Sequence, residues 1–146
     1  MGPTDLIVVV VTLVILLTVI GLHYEVLSRA SRYLPKISHR RRQRVFFLIL
    51  MIIGAHLAEI WLFALGYYVF SGIEEYGALV GVGDGGIGDY AYYSAVVYTT
   101  VGFGDMVPEG AIRFMTGTEA LTGLVMITWS ASFTFLEMQR DWPGGR

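Results

Sequence analysis

The sequence predicts an all-α integral membrane protein that crosses the bilayer three times. Three observations carry that expectation: an apolar composition, three long apolar runs, and a one-sided distribution of charge. Of the 146 residues, 55% are hydrophobic and 15% charged, and the mean hydropathy is +0.62. A chain of this length folded in water buries roughly two thirds of its surface, too little to hide so much apolar material. Lipid is the natural solvent. The absence of cysteine excludes disulfides, thiolate metal centres and a cysteine nucleophile.

A helix needs about 20 mostly apolar residues to cross the hydrocarbon core. Residues 6–24 form the first run and carry no formal charge before Glu25. Residues 45–70 form the second, with His56 and Glu59 as its ionisable groups. Residues 112–136 form the third, with Arg113 at its start and Glu119 further in. Pro108 precedes this run, where a proline breaks the chain before a helix begins. The first run is expected to be a retained span. A signal peptide carries basic residues before its apolar stretch, whereas here Asp5 precedes it and the basic residues follow.

The link between the first two runs holds Arg29, Arg32, Lys36, Arg40, Arg41, Arg42 and Arg44. Basic residues accumulate on the cytoplasmic side, so this link and the C-terminus are expected inside a cell membrane and the N-terminus outside. The segment 36–44 is also positioned to touch anionic lipid head groups. Next to a span, this basic stretch is not read as a nucleic-acid site. Asp5, Glu74, Glu75, Asp84, Asp89, Asp105 and Glu109 fall on the opposite, outer side. Either they attract cations there or they simply keep an outer loop solvated. The glycine-rich stretch 77–88 lacks the Lys-Ser or Lys-Thr of a phosphate-binding loop and reads as a flexible turret.

The segment between Asp89 and Gly104 does not fit a span. Residues 90–99 are apolar and suit three helical turns, but Gly102 and Gly104, one residue apart, favour an irregular extended backbone. Non-helical backbone at membrane depth is tolerated only where protein buries it or where it lines a watery path. A helix entering and an extended strand leaving make a re-entrant loop. The run Thr99-Thr100-Val101-Gly102-Phe103-Gly104-Asp105 resembles the TVGYG loop with which potassium channels replace the ion's hydration shell by backbone carbonyls. Stacking carbonyls toward one axis demands backbone angles that side chains resist, which explains alternate glycines. The C-terminal end of the preceding helix turns its partial negative charge toward a cation.

On these residues the chain is identified as resembling the potassium channel family, pore-loop tetrameric cation channels, and, on His56-Leu57-Ala58-Glu59-Ile60 and Trp129-Ser130-Ala131-Ser132, more narrowly short bacterial three-span members. The resemblance implies an extra helix at 1–24, a basic linker at 25–44 and a pore domain at 45–137. Within the pore domain it implies an outer helix 45–70, turret 71–89, pore helix 90–99, filter 100–105 and inner helix 111–137, followed by a short tail at 138–146. It implies K+ bound by Thr100, Val101, Gly102, Phe103 and Gly104, with Thr99, Asp105, Tyr92 and Tyr93 as support. No organic cofactor is implied. Four copies are required, because one loop supplies a quarter of each oxygen ring. The chain departs from the family pattern at Phe103, which lacks the hydroxyl of the commoner tyrosine, and at Val96, where some members place a glutamate. Tyr93 is expected to compensate by donating to Asp105.

His56 and Glu59 lie three apart on one helical face. They are read either as a proton-sensitive gate or, preferably, as a structural polar clasp. Glu119 is expected to pack behind the filter. Val125, Thr128, Ser132 and Leu136 share a helical face and suit a cavity lining. Gly123 is read as a hinge or as a close-packing position, and Phe133, Phe135 and Leu136 as a hydrophobic constriction. The first span is read as a lipid-facing or packing helix. No arginine ladder marks a voltage sensor, and the tail is too short for a ligand-binding domain. No enzymatic constellation is present, since His56-x-x-Glu59 lacks the second histidine of a zinc-protease helix. The expected function is passive K+ conduction. The alternatives are a weakly selective cation channel and a non-conducting accessory subunit.

Overall fold

The computed structural model describes residues 2–37 and 41–141. Residues 38–40 of the basic segment and 142–146 of the tail, including Arg40 and Arg146, lie outside the described residues, as does the side chain of Arg41. The elements run in the order α1 (Pro3–Ile37), α2 (Arg41–Ser71), a 3-10 turn (Glu74–Tyr76), β1 (Leu79–Val80), α3 (Ile87–Tyr98), β2 (Val107–Pro108) and α4 (Ile112–Asp141). Among the described residues, α1, α2 and α4 are long and apolar enough to cross a membrane. In hydrocarbon a helix satisfies its own backbone hydrogen bonds, so these apolar runs fold as unbroken helices.

Helix α1 does not end where its apolar run ends. It continues through Glu25, Arg29 and Arg32 to Ile37, so most of the expected 25–44 linker is helix. Leu27, Ala30 and Leu34 extend a buried stripe at helical spacing and pack with Leu48 and Ile52 of α2. On the exposed face Arg29 pairs with Glu25 at 3.0 Å, one turn away. The burial and the pairing both favour continued helix.

Helix α1 packs on α2 and α4, and α3 packs against α2 and α4. One core cluster joins Val8 and Val19 of α1 to Phe63 and Tyr67 of α2, Tyr98 of α3, and Ile112 and Met115 of α4. Leu17, Leu65, Leu121 and Leu124 remain largely exposed, the apolar exterior a lipid-embedded chain presents. The strands β1 and β2 pair antiparallel, Leu79 with Pro108 and Val80 with Val107. They join the link before α3 to the link before α4.

Candidate functional site

Helix α3 delivers the glycine-bearing loop. Ahead of its first turn, the Asp89 carboxylate accepts from the Gly85 backbone N–H at 3.0 Å and holds the entering chain against the helix. Its C-terminus is closed by Thr99, whose hydroxyl donates to the Ala95 carbonyl at 2.7 Å. The amides of Thr100 and Val101 then turn back to the carbonyls of Val97 and Val96 at 2.9 and 3.1 Å. Beyond this turn, residues 101–103 have no regular secondary structure.

The backbone of that loop alternates. Thr100, Gly102 and Gly104 have φ of +60°, +59° and +79°. Left-handed geometry at every second residue is the condition for successive carbonyls to face one side, and glycine adopts it without a Cβ clash. Thr100 is the one non-glycine residue in this region of φ among the described residues. A side-chain-bearing residue held there stores roughly 1–3 kcal/mol of strain. The side chains of Val101 and Phe103 point outward, with Phe103 69% exposed.

The support differs from the expectation at one position. Tyr92, not Tyr93, donates to the Asp105 carboxylate, at 2.8 Å. The Asp105 carboxylate beside it raises the Tyr92 phenol above its ordinary range. Adjacent helical residues point about 100° apart, and Tyr93 faces inward, its hydroxyl 3.0 Å from Thr116 of α4. Val96 is buried and hydrophobic, and its carbonyl holds the turn into the loop.

Behind α3 sits a first polar cluster. Glu119 of α4 is fully buried and accepts from Tyr67 of α2 at 2.6 Å and from the Ser94 hydroxyl of α3. Ser94 also lies 2.8 Å from the Ile60 carbonyl. One carboxylate thus fastens α3 to both flanking helices.

A second cluster lies between α1, α2 and α4, beside the C-terminal end of α3. His56 and Glu59 are in contact at 3.1 Å, and three further partners join them. His23 of α1 places Nδ1 2.8 Å from Glu59 Oε1. Tyr98 of α3 donates to Glu59 Oε2. Ser130 of α4 sets its hydroxyl 3.1 Å from His23 Nε2 and 3.2 Å from His56 Nε2. His23 and Glu59 are fully buried. Sequence reasoning missed His23. An ionisable ring near the end of an apolar run was itself the signal, and it makes α1 part of the polar framework rather than a plain packing helix.

On α4, Gly123 meets the end of α3, where a Cβ would overlap the Tyr98 backbone carbonyl. The helix passes through this position unbroken. Val125, Thr128, Ser132 and Leu136 lie on an exposed face of the single chain. Phe133 does not share that face as a constriction requires. It packs with Trp129 against the Leu27, Ala30 and Leu34 stripe of α1, because residues 129 and 133 are one turn apart on the side facing α1.

No curated protein and no solved structure matches the chain. A family model described as "Ion channel" matches residues 55–140, more than half of the chain. The match takes in most of α2, all of α3 with its loop, and nearly all of α4, the elements that carry the Glu119 cluster, the Glu59 cluster apart from His23, and the alternating backbone. With three helices able to span a bilayer around that loop, the chain belongs to this family of membrane-embedded ion channels.

Proposed function

We propose that the protein conducts K+ passively, with four copies of the chain surrounding a filter built from residues 100–104. The observation that carries this reading is the alternating left-handed backbone at Thr100, Gly102 and Gly104 in a loop that follows the Thr-Thr-Val-Gly-Phe-Gly-Asp pattern. Carbonyls turned to one side supply a quarter of each oxygen ring, and three more chains supply the rest. Exposure of Phe103 and of the 125, 128, 132 and 136 face in a single chain supports burial against further copies. The N-terminus lies outside and the C-terminus inside, with the basic segment near anionic lipid.

A second reading, a weakly selective cation pore, is favoured by one feature. Phe103 has no hydroxyl, which leaves the Tyr92–Asp105 bond as the side-chain tie of the loop to α3. The reversal potential of the purified protein in a planar bilayer, with K+ on one side and Na+ on the other, separates the two. Reversal close to the K+ equilibrium potential is expected. Clear currents reversing near zero would leave the weakly selective reading standing and sink the first.

A further inference from the structure

The cluster around Glu59 has more donors and acceptors converging than a clasp between two helices needs. His23, His56 and Glu59 present ligand-type atoms that lie within 4.8 Å of one another. Both imidazoles aim Nδ1 at the same carboxylate, one at each oxygen, at 2.8 and 3.1 Å. Both aim Nε2 at a single hydroxyl, that of Ser130. Tyr98 approaches the same carboxylate from α3, and its hydroxyl lies 2.9 Å from His56 Nδ1.

A hydrogen inventory exposes what this arrangement lacks. A neutral imidazole has one N–H and one acceptor nitrogen, and a serine hydroxyl has one hydrogen. If both Nδ1 atoms carry hydrogen toward Glu59, both Nε2 atoms need a donor, and Ser130 can serve one. The other contact then sets two lone pairs against each other. One added proton removes the conflict, and so does a metal cation between the two Nδ1 atoms and Glu59. Each ring then binds through the Nδ1 lone pair and donates Nε2–H to Ser130, whose oxygen accepts both.

We propose that His23, His56 and Glu59 form a binding site for a divalent transition-metal ion of the zinc class, with Ser130 orienting both imidazoles. Two imidazoles and a carboxylate are a common donor set for such ions, and Tyr98 or a water completes four-coordination. Bonds of about 2.0–2.2 Å place neighbouring ligand atoms roughly 3.4 Å apart. The observed separations of 2.8 and 3.1 Å need to open by about 0.3–0.6 Å. A metal-bound histidine characteristically donates its second ring nitrogen to a fixed acceptor, and here one residue does so for both rings. His56 keeps 17% of its side chain exposed and edges a groove with Ile127, Ala131 and Thr134, which gives an ion a path inward. The site joins α1 to α2, with its supports on α3 and α4. An ion there fixes the extra helix to the conducting unit.

The test uses untagged full-length protein in detergent, stripped by chelator and then exposed to Zn2+ or Co2+. One Zn2+ retained per chain and an intense visible Co2+ spectrum of tetrahedral type are expected. Both disappear in His23→Gln and Glu59→Gln, and Ser130→Ala weakens affinity about 10–100-fold. Circular dichroism reports whether each variant keeps its helices. Should a variant misfold, the wild-type Co2+ spectrum and a Zn2+-dependent rise in its melting temperature still decide. No stoichiometric metal on the wild type, or equal binding by a folded His23→Gln, would overturn the proposal and leave a shared proton as the cation of the cluster. These readouts are independent of conduction, so they stand apart from K+ selectivity.

Discussion

Two buried glutamates, Glu59 and Glu119, hold α3 in place by different chemistry. Both are fully buried. Glu119 is met by hydroxyls, those of Tyr67 and Ser94, with Thr116 bridging toward Tyr67 and Tyr93. Glu59 is met by two imidazoles and a phenol. A hydroxyl rotates and can donate or accept, so the Glu119 cluster tolerates a change in the group at its centre. An imidazole ring is fixed in plane, and its two nitrogens carry interdependent roles. The Glu59 cluster is therefore a matched set, and the Glu119 cluster an adjustable one.

The comparison is open to breakage, most violently at Glu59. Glu59→Ala strips an acceptor from His23, His56 and Tyr98 at once and is expected to cost about 3–5 kcal/mol, read as a lowered unfolding midpoint in detergent. A loss under about 1 kcal/mol would mean that the imidazoles find other partners and the matched-set description fails. Ser94→Ala is expected to cost about 1–3 kcal/mol in the same assay, since it leaves Glu119 short of a buried donor. Glu119→Gln sharpens the contrast. Its amide oxygen still accepts from Tyr67 and its NH2 can donate to the Ser94 oxygen, so the expected loss is about 1 kcal/mol. Glu59→Gln presents an N–H to groups that already donate and is expected to exceed it. Equal losses in the two glutamines would erase the distinction. The smallest effect is expected at Tyr92→Phe, about 0.5–1.5 kcal/mol. Its signature is functional: with the bond to Asp105 gone, single-channel recordings should show briefer openings at unchanged unitary current.

These features were unequally legible from residues alone. The three spans follow from apolar run length, and the alternating loop follows from Gly102 and Gly104 set in a short apolar segment. The left-handed Thr100 was not readable, because nothing in a threonine announces that its neighbours will hold it there. Of the two supporting tyrosines, Tyr92 rather than Tyr93 reaches Asp105, because the phase of α3 relative to Asp105 depends on where the helix ends, and a one-residue change turns a side chain by about 100°. A run of charge reads as a stop signal, yet Leu27, Ala30 and Leu34 keep helical period through it and α1 continues to Ile37. His23 was passed over because its partners lie on other helices. His56 and Glu59 announced each other by spacing, whereas a lone histidine has no such neighbour. Phe133 was assigned with its sequence neighbours, and only the docking of α1 reveals which side of α4 it serves.

The two-residue ladder between Leu79–Val80 and Val107–Pro108 has a mechanical consequence. It closes the chain on itself so that residues 81–106, with α3 and the alternating loop inside, leave and rejoin the rest of the chain at one cinched neck. A displacement of α2 or α4 along the chain arrives at that neck from both sides together. Movement of α4 reaches the carbonyls through the Glu119 side chain and through the backbone contact of Gly123 with Tyr98.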